Sequence, residues 1–323
     1  MMHDDDMEWP LVSIVLPAHN EANSINACLD SIMASDYPRD RFETILVDNS
    51  STDGTPDLAR QFPVEVYELP NVNVGAVRNY GAGKANGSIL AFLDADCVVD
   101  PRWLKKGVET LQNLSVDVVG GGIKLGASPS WVESFWLLEC RHGSTRPTEL
   151  IGCNIFIRKS VFESVGGFNE QITSGEDTDI SRKLKASGHS VPVITDLAVV
   201  HLGNAKSMTS FIRRQQWHAE NYISHWKSSI ADPVFYLVLW FTLMVASSFF
   251  FIALNQTFTG LAAALAALLP AGILSLKRLK RASTQEFNPV KLALIFSLDV
   301  LYLAGRSLGL LRGMIREITK RLL

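Results

Sequence analysis

Two uncharged runs near the carboxyl end, Val234 to Leu254 and Phe258 to Leu276, constrain this chain more than any other feature. Each is close to the ~20 residues a helix needs to cross a hydrocarbon core of roughly 30 Å. Backbone amides in hydrocarbon must be satisfied within their own segment, so such runs fold as helices. Two helices buried in a large soluble protein are the competing reading, but charge-free runs of this length are rare outside membranes. Basic residues flank the pair. Arg213, Arg214 and Lys227 precede it, and Lys277, Arg278, Lys280 and Arg281 follow it, while the link Asn255-Gln256-Thr257 is uncharged. The positive-inside rule then puts both flanks on the cytoplasmic side of an inner or plasma membrane. A third apolar stretch, Leu292 to Leu311, differs. It carries Asp299 and Arg306 on one helical face with Tyr302 and Gly309, and Arg312, Arg316, Lys320 and Arg321 follow. A third crossing would place that basic tail outside. An amphipathic helix over 290–323 lying in the cytoplasmic interface is preferred, with a third span as the alternative.

The rest of the chain reads as one soluble domain, so the expected organisation is a domain over 1–230 and a membrane region over 231–323, with spans at 234–254 and 258–276. A net charge of −3 over 323 residues gives no reason to expect a nucleic-acid partner. Cys28, Cys97, Cys140 and Cys153 form no CxxC pair and have no histidine at zinc spacing. They read as reduced, buried thiols of a cytosolic domain. Met1 to Pro10 is acidic, without the basic flank and apolar core of a secretory signal. No internal repeat is evident.

Within 1–230, short apolar strands alternate with amphipathic helices. Strands are expected at Leu11 to Leu16, Phe42 to Val47, Val64 to Glu68, Ser88 to Leu93, Val116 to Val119, Asn154 to Ile157 and Val191 to Ile194, with a further one at Leu197 to Val200. Helices are expected at Ala22 to Met33, Pro56 to Gln61, Val74 to Ala85, Pro101 to Gln112, Ser160 to Val165, Asp177 to Ser187 and Thr209 to Trp226. This rhythm implies βαβ units around a mostly parallel sheet. The aromatic stretch Ser130 to Cys140 is read as core in preference to a lipid-facing lip.

In such a sheet, ligands bind beyond the carboxyl ends of the strands. Three of these ends are polar. Leu16-Pro17-Ala18-His19-Asn20-Glu21 and Val47-Asp48-Asn49-Ser50-Ser51 can together shape a pocket for a base and ribose. Ile89 to Leu93 carries Asp94 and Asp96 to its end, one residue apart. Aspartates are common in turns, and these two could be no more than that. Paired hard oxygen ligands at such a place also suit Mg²⁺ or Mn²⁺, which clamps a diphosphate.

The order of these motifs resembles family 2 of the glycosyltransferases, the inverting enzymes with the GT-A fold. Pro17-Ala18-His19-Asn20-Glu21, Val47-Asp48-Asn49-Ser50-Ser51-Thr52-Asp53-Gly54-Thr55, Val77-Arg78-Asn79-Tyr80-Gly81 and Phe92-Leu93-Asp94-Ala95-Asp96 follow that family's order and spacing. Gly166-Gly167-Phe168-Asn169-Glu170 and Glu176-Asp177 continue it, so that the resemblance covers Val12 to His201. It implies an α/β, Rossmann-like fold ahead of the C-terminal transmembrane or amphipathic helices. It also implies a nucleotide-sugar donor, here a UDP-sugar by preference. Asp48 would accept from the base, with Pro17, Ala18 and Glu21 lining the same pocket. Arg78 would lie near base or diphosphate. Asp96 would bind the metal, Asp94 would meet ribose or the metal's water shell, and His201 would be a further metal ligand or a structural hydrogen bonder. Glu176-Asp177 matches the pair whose aspartate is the general base, with Asp179 as its competitor. Arg213-Arg214-Gln215-Gln216-Trp217 is similar to the QxxRW segment of processive synthases. Gln216 stands where arginine should precede the tryptophan, which argues against polymer synthesis and leaves Trp217 as a candidate acceptor contact.

The expected activity is therefore metal-dependent, single-displacement transfer of one sugar to a lipid-linked or membrane-proximal glycan. A sugar nucleotidyltransferase would share the sheet and carboxylates but would show a glycine-rich basic loop where Pro17 to Glu21 stands. A silent nucleotide-sugar-binding scaffold of an envelope polysaccharide assembly would be expected to lack Asp96 or Asp177. Lys124 to Ile151 is poorly patterned, and sugar, acceptor and linkage are not encoded in any motif.

Overall fold

A computed structural model of the chain describes residues 9–145, 147–172, 174–220, 222–223, 226–282 and 288–322. The signal-peptide reading concerns Met1 to Pro10, of which residues 1–8 lie outside the described residues, as do the side chains of Lys227, Lys320 and Arg321. The chain divides into two compact units. One comprises 1–126 and 143–203, the other 127–142 and 204–323.

The first unit is built on one eight-stranded sheet. In chain order its elements are β1 (Val12–Ala18), α1 (Ile25–Met33), β2 (Phe42–Asp48), α2 (Thr55–Ala59), β3 (Glu65–Glu68), α3 (Val74–Lys84), β4 (Ile89–Leu93), β5 (Cys97–Val98), α4 (Trp103–Asn113) and β6 (Val118–Lys124). The chain then contributes α5 (Trp131–Trp136) to the second unit. It returns as β7 (Asn154–Arg158), α6 (Lys159–Ser164), α7 (Glu176–Ala186) and β8 (Val193–His201). Strand order is β3-β2-β1-β4-β7-β6-β8-β5. The β3-β2-β1-β4 half is parallel, as the alternation of strands and helices implies. Strand β7 runs antiparallel to both β4 and β6, β5 runs antiparallel to β8, and β6 pairs with β8 in parallel, so the whole sheet is mixed.

Both faces are covered, which explains why the strands read as nearly continuous apolar runs. Alternate residues point to opposite faces. Ile14, Leu16, Leu46, Ala91 and Leu93 join the core with α1 and α4, while Val15, Ile45, Val47, Leu90 and Phe92 join the core with α3, α6 and α7.

Two elements differ from the sequence reading for one reason. The glycines Gly120-Gly121-Gly122 look like punctuation, yet β6 runs through them to Lys124, and the two expected late strands fuse into β8. The space those glycines leave is filled by a neighbour. A Cβ on Gly121 would lie 1.9 Å from Leu197 O and 2.2 Å from Asn154 Nδ2. Buried Asn154 donates to Gly122 O at 3.1 Å and Leu197 O at 2.5 Å, and its Oδ1 accepts from Trp103 Nε1 at 3.1 Å. One amide thus bridges β6, β8 and α4 across a bulge in the β6/β8 register.

The second unit holds α5, α8 (Met208–Ala219), α9 (Trp226–Ser229), α10 (Pro233–Ala253), α11 (Thr257–Ala267), α12 (Leu269–Ala282) and α13 (Pro289–Leu322). The helix expected from Thr209 to Trp226 ends at Ala219. Phe135 and Trp136 pack into this unit's core, as the core reading of the aromatic stretch has it, while Trp131 is exposed. Three helical runs, Pro233–Ala253, Thr257–Ala282 and Pro289–Thr319, are long and apolar enough to cross a membrane. The polar residues of α13 turn inward. Asp299 is fully buried, accepting from Arg278 Nη2 at 2.7 Å and Ser275 Oγ at 2.8 Å, and Arg306 donates to the Tyr222 hydroxyl.

Helix α13 meets α8 along a glycine ladder. Cβ atoms on Gly305, Gly309 and Gly313 would lie 3.0, 2.2 and 2.4 Å from the carbonyl oxygens of Ile212, Gln216 and Glu220. Both sets repeat every four residues, so one helix ridge rests on the other's backbone, the close approach that small residues permit. Gly309→Leu is expected to cost about 1–3 kcal/mol by overpacking. Gly83→Ala, where a Cβ meets nothing within 4 Å, should be neutral or stabilising. Thermal unfolding of the detergent-solubilised protein checks both, and an unshifted Gly309→Leu melt would contradict the ladder.

Candidate active site

Strand β4 is buried along its length, and the chain leaves the sheet where its carboxylates begin. Leu202 N donates to Asp96 O at 2.8 Å, and the β5/β8 pairing sets Cys97 opposite His201. These contacts bring His201 Nε2 to 3.6 Å from Asp96 Oδ1. Ligand atoms of Asp94, Asp96 and His201 lie within 4.8 Å of one another. Gly203 closes over the group, because a Cβ there would sit 1.8 Å from Asp96 Oδ2. Glu21 feels the same concentration of charge. Burial raises its pKa most, Ser24 opposes this by hydrogen bonding, and Asp96 and Asp94 raise it further. Carboxylates crowded beside a histidine form a donor set that fits a divalent cation.

Arg78 organises the other side of these carboxylates. It is 3% exposed and donates Nη2 to Asp94 Oδ1 at 2.6 Å and Nη1 to Glu176 Oε1 at 2.7 Å. One guanidinium therefore ties the end of β4 to the first turn of α7. Gly152 lies against it, where a Cβ would be 2.6 Å from Nη2. The same glycine's N–H donates to Asp177 Oδ2 at 3.3 Å, while Thr178 N donates to Oδ1 at 2.7 Å. Burial first, and then the charge of Glu176, raise the Asp177 pKa above the ordinary carboxylate range. Asp179 faces elsewhere on the helix, 3.3 Å from Lys183 Nζ.

The base-side residues fall into two adjoining loops. Asp48, at the end of β2, is 3% exposed. Its Oδ2 accepts from Ser51 N at 2.9 Å, and its Oδ1 has no hydrogen-bond partner among the described residues. Asp48 borders a cavity of about 340 Å³. Pro17, Ala18 and Glu21 line a second cavity, of about 150 Å³, together with Asp94 and Asp96. The loops are stitched together by Thr52 N to Asn20 Oδ1 at 2.9 Å, Ala22 N to Asp53 Oδ2 at 2.9 Å and Glu21 N to Thr55 Oγ1 at 2.8 Å. The polar run Asn49 to Thr55 is thus largely scaffold. Trp217 lies on α8 in the second unit, 45% exposed, with its ring centroid 4.8 Å from that of His218.

Several supporting residues were not singled out by the sequence reading. Asn79 donates to Phe168 O and accepts from Phe168 N, both at 2.9 Å, clamping the Gly167-Phe168 turn. Its place beside Arg78 in a motif was the only signal. Gly152 and Gly203 gave none, since what they approach is remote in sequence. Cys28, Cys97 and Cys153 are buried free thiols as expected, whereas Cys140 is only partly buried. The Cys97 thiol is pushed well above its usual range by its hydrogen bond with Cys153 and by burial.

Residues 13–166 match the sequence profile of Glycosyl transferase family 2. The glycosyltransferase AglE of Haloferax volcanii is 31% identical over 244 residues, covering 72% of this chain and 80% of that protein. A beta-monoglucosyldiacylglycerol synthase of Synechocystis is 25% identical over 255 residues, 70% of this chain and 51% of its own length, so this chain spans about half of that relative. In fold, the chain is similar to the mannosyltransferase PcManGT of Pyrobaculum calidifontis, solved with GDP-Man and Mn²⁺. The TM-score is 0.58 at 22% identity, covering 94% of this chain and 88% of the other.

Removing the Arg78 charge should leave two partly or fully buried carboxylates facing each other. Arg78→Met is expected to lower unfolding stability by about 3–5 kcal/mol, and adding Glu176→Gln should restore part of it. Denaturant titration measures both, and a double variant no more stable than Arg78→Met would refute the bridge.

Proposed function

We propose that this chain, which belongs to glycosyltransferase family 2, is a membrane-anchored, metal-dependent inverting transferase. It moves one sugar from a nucleoside diphosphate sugar to a lipid-linked or membrane-proximal acceptor. The observation that carries this reading is the Arg78 bridge, which joins the Asp94/Asp96 strand end to the Glu176-Asp177 helix start.

Asp96, with Asp94 and His201, would hold Mg²⁺ or Mn²⁺. When bound, the cation neutralises charge on the departing diphosphate. The unpartnered Oδ1 of Asp48 is suited to accept from a base N–H. Uracil and guanine both offer one; a UDP-sugar remains the preferred donor, and the GDP-Man bound by the Pyrobaculum enzyme makes GDP-sugars the first comparison. Pro17, Ala18 and Glu21 border the donor. Arg78 has both terminal nitrogens engaged by carboxylates, so its part is to orient Asp94 and Glu176. Asp177 acts as the general base. Gly152 N and Thr178 N hold its carboxylate, and its raised pKa strengthens its pull on an acceptor hydroxyl's proton as that oxygen attacks the anomeric carbon. Attack opposite the leaving nucleotide inverts the configuration. Trp217 is assigned to the acceptor side.

Asp177→Asn is expected to lower kcat by 10²–10⁴-fold while leaving donor affinity intact. Mass-spectrometric transfer assays in native membranes, run with UDP- and GDP-sugars, test this, and full activity in the variant would remove Asp177 from the chemistry. The pH profile follows in sign. A protonated Asp177 accepts no proton, so the rate falls as pH drops through its raised pKa. The acidic limb should therefore lie above the ordinary aspartate value of about 4.

The helices α10 and the α11–α12 run are assigned as the spans, with the first unit cytoplasmic. Helix α13 is assigned to the interface, since half of its apolar window is already buried by protein and basic residues crowd its C-terminal end. The likeness to a beta-monoglucosyldiacylglycerol synthase supports an acceptor held at the bilayer. Protease added outside right-side-out vesicles should spare residues 9–203. Cleavage there would reverse the topology.

A further inference from the structure

A second ligand set stands directly behind Asp96. Cys97 Sγ, Cys153 Sγ and a ring nitrogen of His201 lie within 4.8 Å of one another, and all three residues are buried. Asp96 Oδ1 adjoins two of the three, 3.7 Å from Cys97 Sγ and 3.6 Å from His201 Nε2. A tetrahedron around Zn²⁺ with bonds of about 2.0–2.3 Å has edges of about 3.3–3.8 Å. Two of the separations already match, and the thiol and imidazole atoms, none more than 4.8 Å apart, need to close by about 1.5 Å at most.

The donors come from three places that the sheet brings together. Cys97 and His201 are register partners of β5 and β8. Cys153 precedes β7, where its neighbour Asn154 is fixed by hydrogen bonds to Gly122, Leu197 and Trp103. Two thiolates, an imidazole and one carboxylate form a borderline-soft set. It selects Zn²⁺ over Mg²⁺ and Mn²⁺, whereas Asp94, Asp96 and His201 form the harder set.

We propose that Cys97, Cys153, His201 and Asp96 form a Zn²⁺-binding site that overlaps the catalytic cation site and shuts it down when filled. The two sites share Asp96 and His201, so they are not filled together. Zn²⁺ on the thiolates takes Asp96 out of the diphosphate cleft. Binding is a ligand exchange without oxidation: two thiol protons leave to solvent for each ion bound. The inhibition rests on the transferase reading of Asp94, Asp96 and His201; the thiolate coordination does not.

The test uses the full chain without donor or acceptor, titrated with Co²⁺ as the spectroscopic substitute for Zn²⁺. A thiolate-to-cobalt charge-transfer band should saturate at one equivalent and vanish when Zn²⁺ is added. Cys153→Ser and Cys97→Ser should each abolish it, and Cys140→Ser should keep it. Should Cys97→Ser unfold the chain, which circular dichroism reports, Cys153→Ser carries the result alone. In transfer assays with Mn²⁺, Zn²⁺ should inhibit the wild type. Cys153→Ser should keep its Mn²⁺-supported rate and need roughly 10-fold more Zn²⁺ or beyond for half-inhibition, the loss known even for outer-shell partners of a metal. Absence of the band, or its survival in Cys153→Ser, overturns the site. A band without Zn²⁺ inhibition overturns the overlap. A band in a protein that transfers no sugar supports the site and defeats the transferase reading instead.

Discussion

The first unit's candidate site depends on one buried cation. Arg78 sits where α3 faces the end of β4 and the start of α7, and its terminal nitrogens are shared between Asp94 and Glu176. Taking a guanidinium out of water is costly unless carboxylates meet it with good geometry. Here they do, so three elements remote in sequence are held at one point. The same arrangement leaves Asp177 beside the Glu176 carboxylate, whose charge raises its pKa, and under the backbone N–H of Gly152. A base in that setting binds a proton more readily than a solvated aspartate, which is the property the proposed chemistry requires.

Close backbone approach is the second recurring device. Glycine stands wherever a functional side chain or a packed helix needs the space a Cβ would take. Gly152 makes room for Arg78, Gly203 for Asp96, Gly121 for Asn154, and Gly305, Gly309 and Gly313 for the backbone of α8. Gly152 and Gly203 shape the candidate site, and Gly121 the sheet beneath the β6/β8 bulge. The last three bind α8, which carries Gln215, Gln216 and Trp217, to α13 in the second unit. That unit also buries its own ion pair, Arg278 with Asp299, with the guanidinium carbon 3.8 Å from the Trp136 ring centroid. A fully buried carboxylate is costly unless it is paired in this way.

The cation reading and the zinc inference share a physical basis. Asp96 and His201 lie at a boundary between hard oxygen donors on the cleft side and thiols on the core side. Which ion occupies such a boundary is decided by donor softness and by the available ion, since the raw affinity order of N, O and S sites favours zinc over manganese.

Local pattern in the chain was enough to establish the strand–helix rhythm, the two-sided burial of β1, β2 and β4, the uncharged helices and the motif order that marks the family. Each of these is written in hydrophobic period or in residues adjacent along the chain, and local physics acts on both. Asp48, Asp94, Asp96 and Asp177 were legible for the same reason, as polar residues at strand ends or a helix start. Tertiary structure alone decided that Arg78 holds carboxylates, that β6 runs through three glycines and that Cys97, Cys153 and His201 converge. Those facts depend on the β4/β7 and β5/β8 antiparallel pairings, which join segments about 60 and 100 residues apart in sequence and have no short-range signal. A glycine in the chain shows that space is left open; only the folded neighbour shows what fills it.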